Sequence, residues 1–332
     1  MSKKAFLKLI PLAVATAMLA GCFGDDDNNN DAPAATTGKA VDFYLKGATV
    51  TFANSSVCAA TTTDANGNFT APQGAACGAA TVTGGTDVAT NLPFTGKLTA
   101  PAGATIVSPV TTLVQALIAS GQSVTAANDL VKSKLGLTKD PATTDPLTDP
   151  AALAKAQALV QIAQQTAAVV TKAQASANFA DVFAKTLETA AKSLSTATSI
   201  TNTTFVQSVI ATTASASLSS STAATNLAAI TAAKIAEIAT AAETQITSVQ
   251  SQLAGKDAST ALALLTNGNV DSNIKTLTEQ ATTLANAIAS VNLSTVSDPA
   301  AVVNQINSQV SVNVPAPVVV APTGGTSTGS GS

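Results

Sequence analysis

The 332-residue chain contains no histidine and no tryptophan, and all 16 of its basic residues are lysine, so arginine is absent as well. Each absence removes a class of chemistry. Without histidine there is no Ser-His-Asp or Cys-His catalytic arrangement, no imidazole metal ligand and no imidazole general base. Without arginine there is no bidentate fork for phosphate or carboxylate. One tyrosine and nine phenylalanines leave little to stack on bases or sugars. The acids number 19, and an acidic surface repels a phosphate backbone, so no nucleic-acid partner is expected. No cofactor is expected either. The enzyme class would need a buried lysine beside a serine, or two carboxylates facing each other in a cleft, and no motif announces them.

What is present is largely small. Hydrophobic residues make up 46% of the chain, but much of that is alanine, with large aliphatics at sparse and regular positions. Such a composition suits closely approaching helices with a thin core better than a deep ligand pocket.

The N-terminus is organised for targeting. Lys3, Lys4 and Lys8 give a cationic start, and the apolar run Leu7 to Ala20 is too short for a membrane span and broken by Pro11. It ends in Leu19-Ala20-Gly21-Cys22. This tetrapeptide resembles the lipobox of bacterial lipoproteins. The resemblance implies cleavage before Cys22, a diacylglycerol on its sulfur, and a membrane partner reached through palmitate-like acyl chains. Two or three chains on one residue hold where one is marginal. Phe23 stands where lipoproteins retained at the inner membrane carry Asp, which implies the outer membrane, with the cell surface expected and the periplasmic face as the alternative. Removing residues 1–21 takes three lysines with it and leaves 13 against the 19 acids, a net charge near −6. Residues 22–38, with the run Asp25 to Asp31, then read as a solvated, self-repelling tether. The longest uncharged stretch, Ser193 to Ala233, is too rich in Ser, Thr and Asn for a lipid-exposed span.

Of three cysteines, lipidation of Cys22 leaves Cys58 and Cys77, an even remainder expected to pair as a disulfide in an oxidising compartment. A metal or redox pair would need closer spacing.

The remainder predicts an α+β chain: a small β-sandwich over 39–105, an elongated, mostly antiparallel helical bundle over 106–312, and a Pro/Gly/Ser/Thr tail over 313–332. Ala40 to Phe52 alternates as strands around a turn at Lys46-Gly47. Thr63 to Phe69 reads as a tight hairpin, since Asp64, Asn66 and Gly67 suit positive φ. Ala79 to Thr83 and Leu92 to Leu98 complete about five to seven short strands. Gly47-Ala48-Thr49-Val50, followed by Thr63 to Phe69, resembles the carboxypeptidase-regulatory-like, prealbumin-type sandwich of bacterial surface proteins. Leu98 to Thr105 and Ser108 to Val114 are similar to segments that follow such domains. The resemblance spans roughly residues 40 to 137 and implies a fold and a surface habitat, with no catalytic residues.

From Ser108 the period becomes helical. Pro109 to Ser120 and Val124 to Leu135 form a pair ended by Gly136. Leu153, Ala156, Val160, Ala163, Ala167 and Val170 keep a 3,4 spacing, as do Val270, Ile274, Leu277, Ala281, Leu284, Ile288 and Val291. These seams are expected to face other helices of the same chain. Phe179 to Leu194 and Phe205 to Ile210 mark two more helices, and a long one carries Ile235 to Leu253, ending near Gly255. Asp64, Asn66 and Asn68, and separately Asp140, Asp145 and Asp149, have the look of calcium loops. They are read instead as a turn and as a solvated loop in which Asp149 caps a helix starting at Pro150. The expected function is non-enzymatic: a lipid-anchored protein for adhesion, envelope or matrix organisation, with surface proteins or polysaccharide as partners. The alternative is a periplasm-facing module carrying an apolar ligand between its helices.

Overall fold

The strands come first, and they are short because the chain between them is dense in turn residues. A computed structural model describes residues 34–318. Nine strands occur among them: β1 Thr36–Ala40, β2 Leu45–Lys46, β3 Thr49–Phe52, β4 Thr61–Thr62, β5 Asn68–Ala71, β6 Ala80–Thr83, β7 Thr86–Asp87, β8 Lys97–Ala100 and β9 Ile106–Val107. They form a three-stranded sheet β5-β1-β9, a pair β2-β7 and a four-stranded sheet β4-β3-β6-β8. The Thr-Val alternation of β3 exposes Thr49 and Thr51 and buries Val50 and Phe52, as a half-buried strand requires.

Two strand expectations need correcting. The 63–69 turn forms, with Asp64 N–H donating to Asn68 O at 2.8 Å, but it does not close a hairpin. β4 pairs with β3 and β5 pairs with β1, so this turn carries the chain from one sheet to another. Such a choice is made by distant partners, not by turn residues. The strand expected at Leu92 to Leu98 is displaced to β8. Pro93 cannot donate to a ladder, and Asn91 sits at φ 55° in a tight turn from Asp87 to Leu92. β1 also lies parallel to β9, and it begins at Thr36, within the stretch read as tether.

One free strand edge is closed by a helix. β8 borders its sheet, and Thr99 N–H donates to Thr112 Oγ1 at 2.9 Å while Thr111 and Thr112 hydroxyls donate to Thr99 O. Threonine hydroxyls thus take the place of a further strand. At the centre of the other sheet, Gly38 opposes Phe69, and the phenylalanine ring covers the bare glycine. Cys58 and Cys77 are bonded and buried.

Ten α-helices follow among the described residues: α1 Pro109–Ala119, α2 Val124–Leu135, α3 Pro150–Ala173, α4 Phe179–Ser193, α5 Thr203–Ser215, α6 Ser221–Ser248, α7 Gln250–Leu253, α8 Ala258–Asn267, α9 Val270–Ile288 and α10 Pro299–Gln309. The described residues are α+β and 55% helical. Most starts are set by side-chain caps; α7 and α9 have none. Ser108 and Thr111 make a capping box ahead of Pro109, and Asp149 and Asp298 cap helices that begin with proline. Gly136 ends α2 in the left-handed conformation.

α3 is the hub. It packs against α1, α4, α6 and α9, and all six of its seam residues are buried. The α9 seam from Val270 to Ile288 is buried too, so both seams face neighbours within the chain. Alanines Ala156, Ala163 and Ala167 on α3 and Ala228, Ala239 and Ala242 on α6 keep side chains short where helices meet. The long helix expected to end near Gly255 is interrupted at Val249, and α8 adds a helix that the hydrophobic spacing did not mark. The sheets and helices share hydrophobic cores. Val50, Val82 and Leu98 belong to the same cluster as Leu113, Leu159 and Phe183, and the described residues belong to one compact unit.

Candidate functional site

Asp42 is the one charged residue in Val41-Asp42-Phe43-Tyr44-Leu45, where the other four side chains are buried. It sits in the turn between β1 and β2. β2 pairs with β7, placing Leu45 opposite Asp87, and Asp87 lines the same cavity as Asp42. Asp87 is 3% exposed. Its Oδ2 accepts from Phe43 N–H at 2.7 Å, and its Oδ1 accepts from the Ala89 and Thr90 amides and from the Thr90 hydroxyl. Asp42 is less provided for. Gln157 Nε2, on α3, donates both to Asp42 O at 2.9 Å and to Asp42 Oδ1 at 3.0 Å.

Both acids line a cavity of about 30 Å³ of mixed character, with Thr90, Gln157 and Thr278 on its polar side and Phe43, Phe94 and Ile274 on its apolar side. That volume holds one or two waters and no organic substrate, which needs roughly ten times more. Burial first, and then the charge of Asp87, push the Asp42 carboxyl up to about 8, against the opposing hydrogen bond from Gln157. Burial also raises Asp87, although four hydrogen bonds to its carboxylate counteract it. Like charges lining one small cavity disfavour ionisation of both acids. Both shifts favour the protonated form, and the cavity is too small for an organic substrate.

The polar contact continues along α3. Gln157, Gln161 and Gln165 lie four residues apart on one face and are all buried. Gln161 Nε2 donates to Thr278 Oγ1 at 2.8 Å, and Gln165 Nε2 to Leu277 O at 2.9 Å. These bonds tie α3 to α9 across an otherwise apolar contact. On the other side of the β1–β2 turn, Tyr44 O–H donates to Asp145 Oδ2 at 2.5 Å, and Lys39 Nζ lies 4.2 Å over the Tyr44 ring and 3.3 Å from Asp145. Burial and the Asp145 carboxylate hold the tyrosine hydroxyl far above its ordinary value, which keeps it protonated as a donor to Asp145.

The acids read as possible calcium ligands have other tasks. Asp64 Oδ1 accepts from the Asn66 and Asn68 amides, and Asp140, Asp145 and Asp149 accept from the Ala142, Leu147 and Ala152 amides. Among the described residues no group of three or more His, Cys, Asp or Glu is placed to hold a metal ion. Of the two enzymatic signatures set out above, two acids, Asp42 and Asp87, do line one cavity, but without room for substrate. The most buried lysine, Lys234, is ion-paired to Glu237 at 2.6 Å.

Cys58 and Cys77 form the expected disulfide, with Cα atoms 5.3 Å apart. Cys22 and the apolar segment before it lie outside the described residues. An open groove of about 490 Å³ runs beside α6, with Ala236, Ala241, Val312 and Val314 as apolar wall and Glu237 and Gln245 among its polar residues. The Asp42–Asp87 pair and the glutamine ladder went unread in the sequence. A lone acid inside an apolar strand pattern, and glutamines at a spacing of four, were the available signals. Comparison with protein-family models, with curated proteins and with solved structures finds no match to this chain.

Proposed function

We propose that the protein is a lipid-anchored component of the bacterial cell envelope, held in the outer membrane by acyl chains on Cys22. It presents its folded body for adhesion or for envelope or matrix organisation, without catalysing a reaction. The observation that carries this reading is Leu19-Ala20-Gly21-Cys22 at the end of a cationic and then apolar leader. The Cys58–Cys77 bridge supports it, because such bonds persist in oxidising compartments. So does the carboxyl pair, whose small cavity argues for a structural role and against turnover. In this reading the N-terminal sheets make up a prealbumin-type sandwich, and the helices around α3 form an elongated antiparallel bundle.

Protease treatment of intact cells tests the display. Digestion of the folded body from outside is the expected result, and complete protection would place it on the periplasmic face. The α6 groove favours a second reading, a carrier of a small apolar ligand, since its volume lies in the range such ligands fill. Native mass spectrometry of protein taken from its own membrane would then find a co-purifying molecule.

A further inference from the structure

The last described stretch of the chain is an extended segment seated on helices. α10 packs on α6 and α9, and Val310, just after it, is fully buried. Residues 311–315 then alternate between exposed and half-buried, with Val312 and Val314 packed against the apolar core that α6, α8 and α9 share. Among the described residues, 311–317 make no backbone-to-backbone hydrogen bond; the next is Val318 N–H to Gly268 O at 3.0 Å, just after α8. Between these points one carbonyl carries the polar contact. Pro315 O accepts from Asn273 Nδ2 on α9 at 2.9 Å and from Gln245 Nε2 on α6 at 3.2 Å, and Asn273 also donates to Gln245 Oε1 at 2.7 Å. Both amides are nearly closed to solvent, Gln245 at 5% and Asn273 at 4% exposed. The residues that follow them, Ile246 and Ile274, belong to the apolar core.

We propose that the α6–α9 face around Gln245 and Asn273 is a binding site for an extended, proline-containing peptide, which residues 311–318 fill in cis as a detachable strap. The Asn273–Gln245 bond joins the two helices by itself. The second Asn273 hydrogen and the Gln245 amide group are then left over, and both converge on a backbone carbonyl from outside the helices. Without that carbonyl, two nearly buried donors must find another acceptor or take up water. Aliphatic side chains two positions apart, as Val312 and Val314 are, lie on one side of an extended segment and take the apolar surface. Proline suits such a ligand. Pro315 and Pro317 fix their own backbone and bias Val314 and Ala316 toward extended conformations, so little freedom is lost on seating. The hold is light. One backbone bond, one clamped carbonyl and two half-buried valines open at lower free energy than the helices beneath them. The segment read in the sequence as a Pro/Gly/Ser/Thr tail from residue 313 therefore carries the ligand of a site on its own chain. A partner segment with the same chemistry, two aliphatic residues two apart and then proline, takes the site when the strap leaves. The site uses only this fold and is independent of the lipid anchor.

The probe is a fluorescent peptide with the sequence of residues 311–318, read by anisotropy against the full chain. The cis strap acts at an effective concentration on the order of millimolar, so the wild type should not retain micromolar probe. Val312→Ser/Val314→Ser in the full chain loosens the strap, and this variant should bind the probe at least about tenfold more tightly than the wild type. In the same variant the side-chain amide NMR signals of Gln245 and Asn273 should move as peptide is added. No binding to the loosened chain, equal binding by the two chains, or binding that leaves those amide signals in place overturns the proposal. If the loosened chain does not fold, millimolar peptide added to the wild type decides: shifted Gln245 and Asn273 amide signals support the site, and unmoved signals refute it.

Discussion

Removal of the Cys58–Cys77 bond should cost about 3 kcal/mol of unfolding free energy. The bond spans 19 positions, and the chain-entropy model assigns that much to closing a loop of this length in the unfolded chain. The enclosed segment carries β4 and β5, so the chain leaves the four-stranded sheet, visits the three-stranded one and returns at β6. Cross-linking its two ends limits how far that excursion can open. Cys58→Ala/Cys77→Ala is the suitable variant, since serine would bury two new hydroxyls at sites that are 1% exposed. Urea unfolding followed by far-ultraviolet circular dichroism should show a lower midpoint. A steeper slope is also expected, because the unbridged unfolded chain is more extended. A loss below about 1 kcal/mol would refute the loop-closure argument. In cells, alkylation trapping should find both thiols blocked, and free thiols would contradict an oxidising compartment.

Two further substitutions test the sheets. Thr112→Val leaves Thr99 N–H without its acceptor and should cost about 1–3 kcal/mol, with faster exchange at the Thr99 amide; unchanged exchange there would mean that the helix does not close the β8 edge. Gly38→Ala places a methyl group 2.3 Å from Phe69 Cζ and should cost about 1–3 kcal/mol by overpacking. Undiminished stability in the same urea assay would show that the ring is free to move aside.

Helices were the legible part of this chain. The seams of α3 and α9 repeat at helical spacing, and Asp149-Pro150 and Asp298-Pro299 mark starts through capping chemistry that is local. α8 escaped because Ala258 to Asn267 is nearly uniform in small and aliphatic residues, although Asp257 caps it. The Val249 break has no proline or glycine to announce it. Strand pairing was less legible for a physical reason. Turn residues at Asp64 to Asn68 specify a change of direction, whereas the partner of β5 is β1, some thirty positions away, and is chosen by burial of Phe69 over Gly38. The carboxyl pair was hidden in the same way, since Asp42 and Asp87 come to line one cavity only through the β2–β7 pairing.

The lipid anchor rests on Cys22, and mass spectrometry of the protein taken from membranes, beside a Cys22→Ser variant, decides whether it exists. The wild-type N-terminus is expected to begin at Cys22 and carry diacylglycerol, with the variant released from the membrane fraction as unacylated chain. A wild-type chain with unmodified Cys22 and an intact leader, recovered away from membranes, would contradict the anchor.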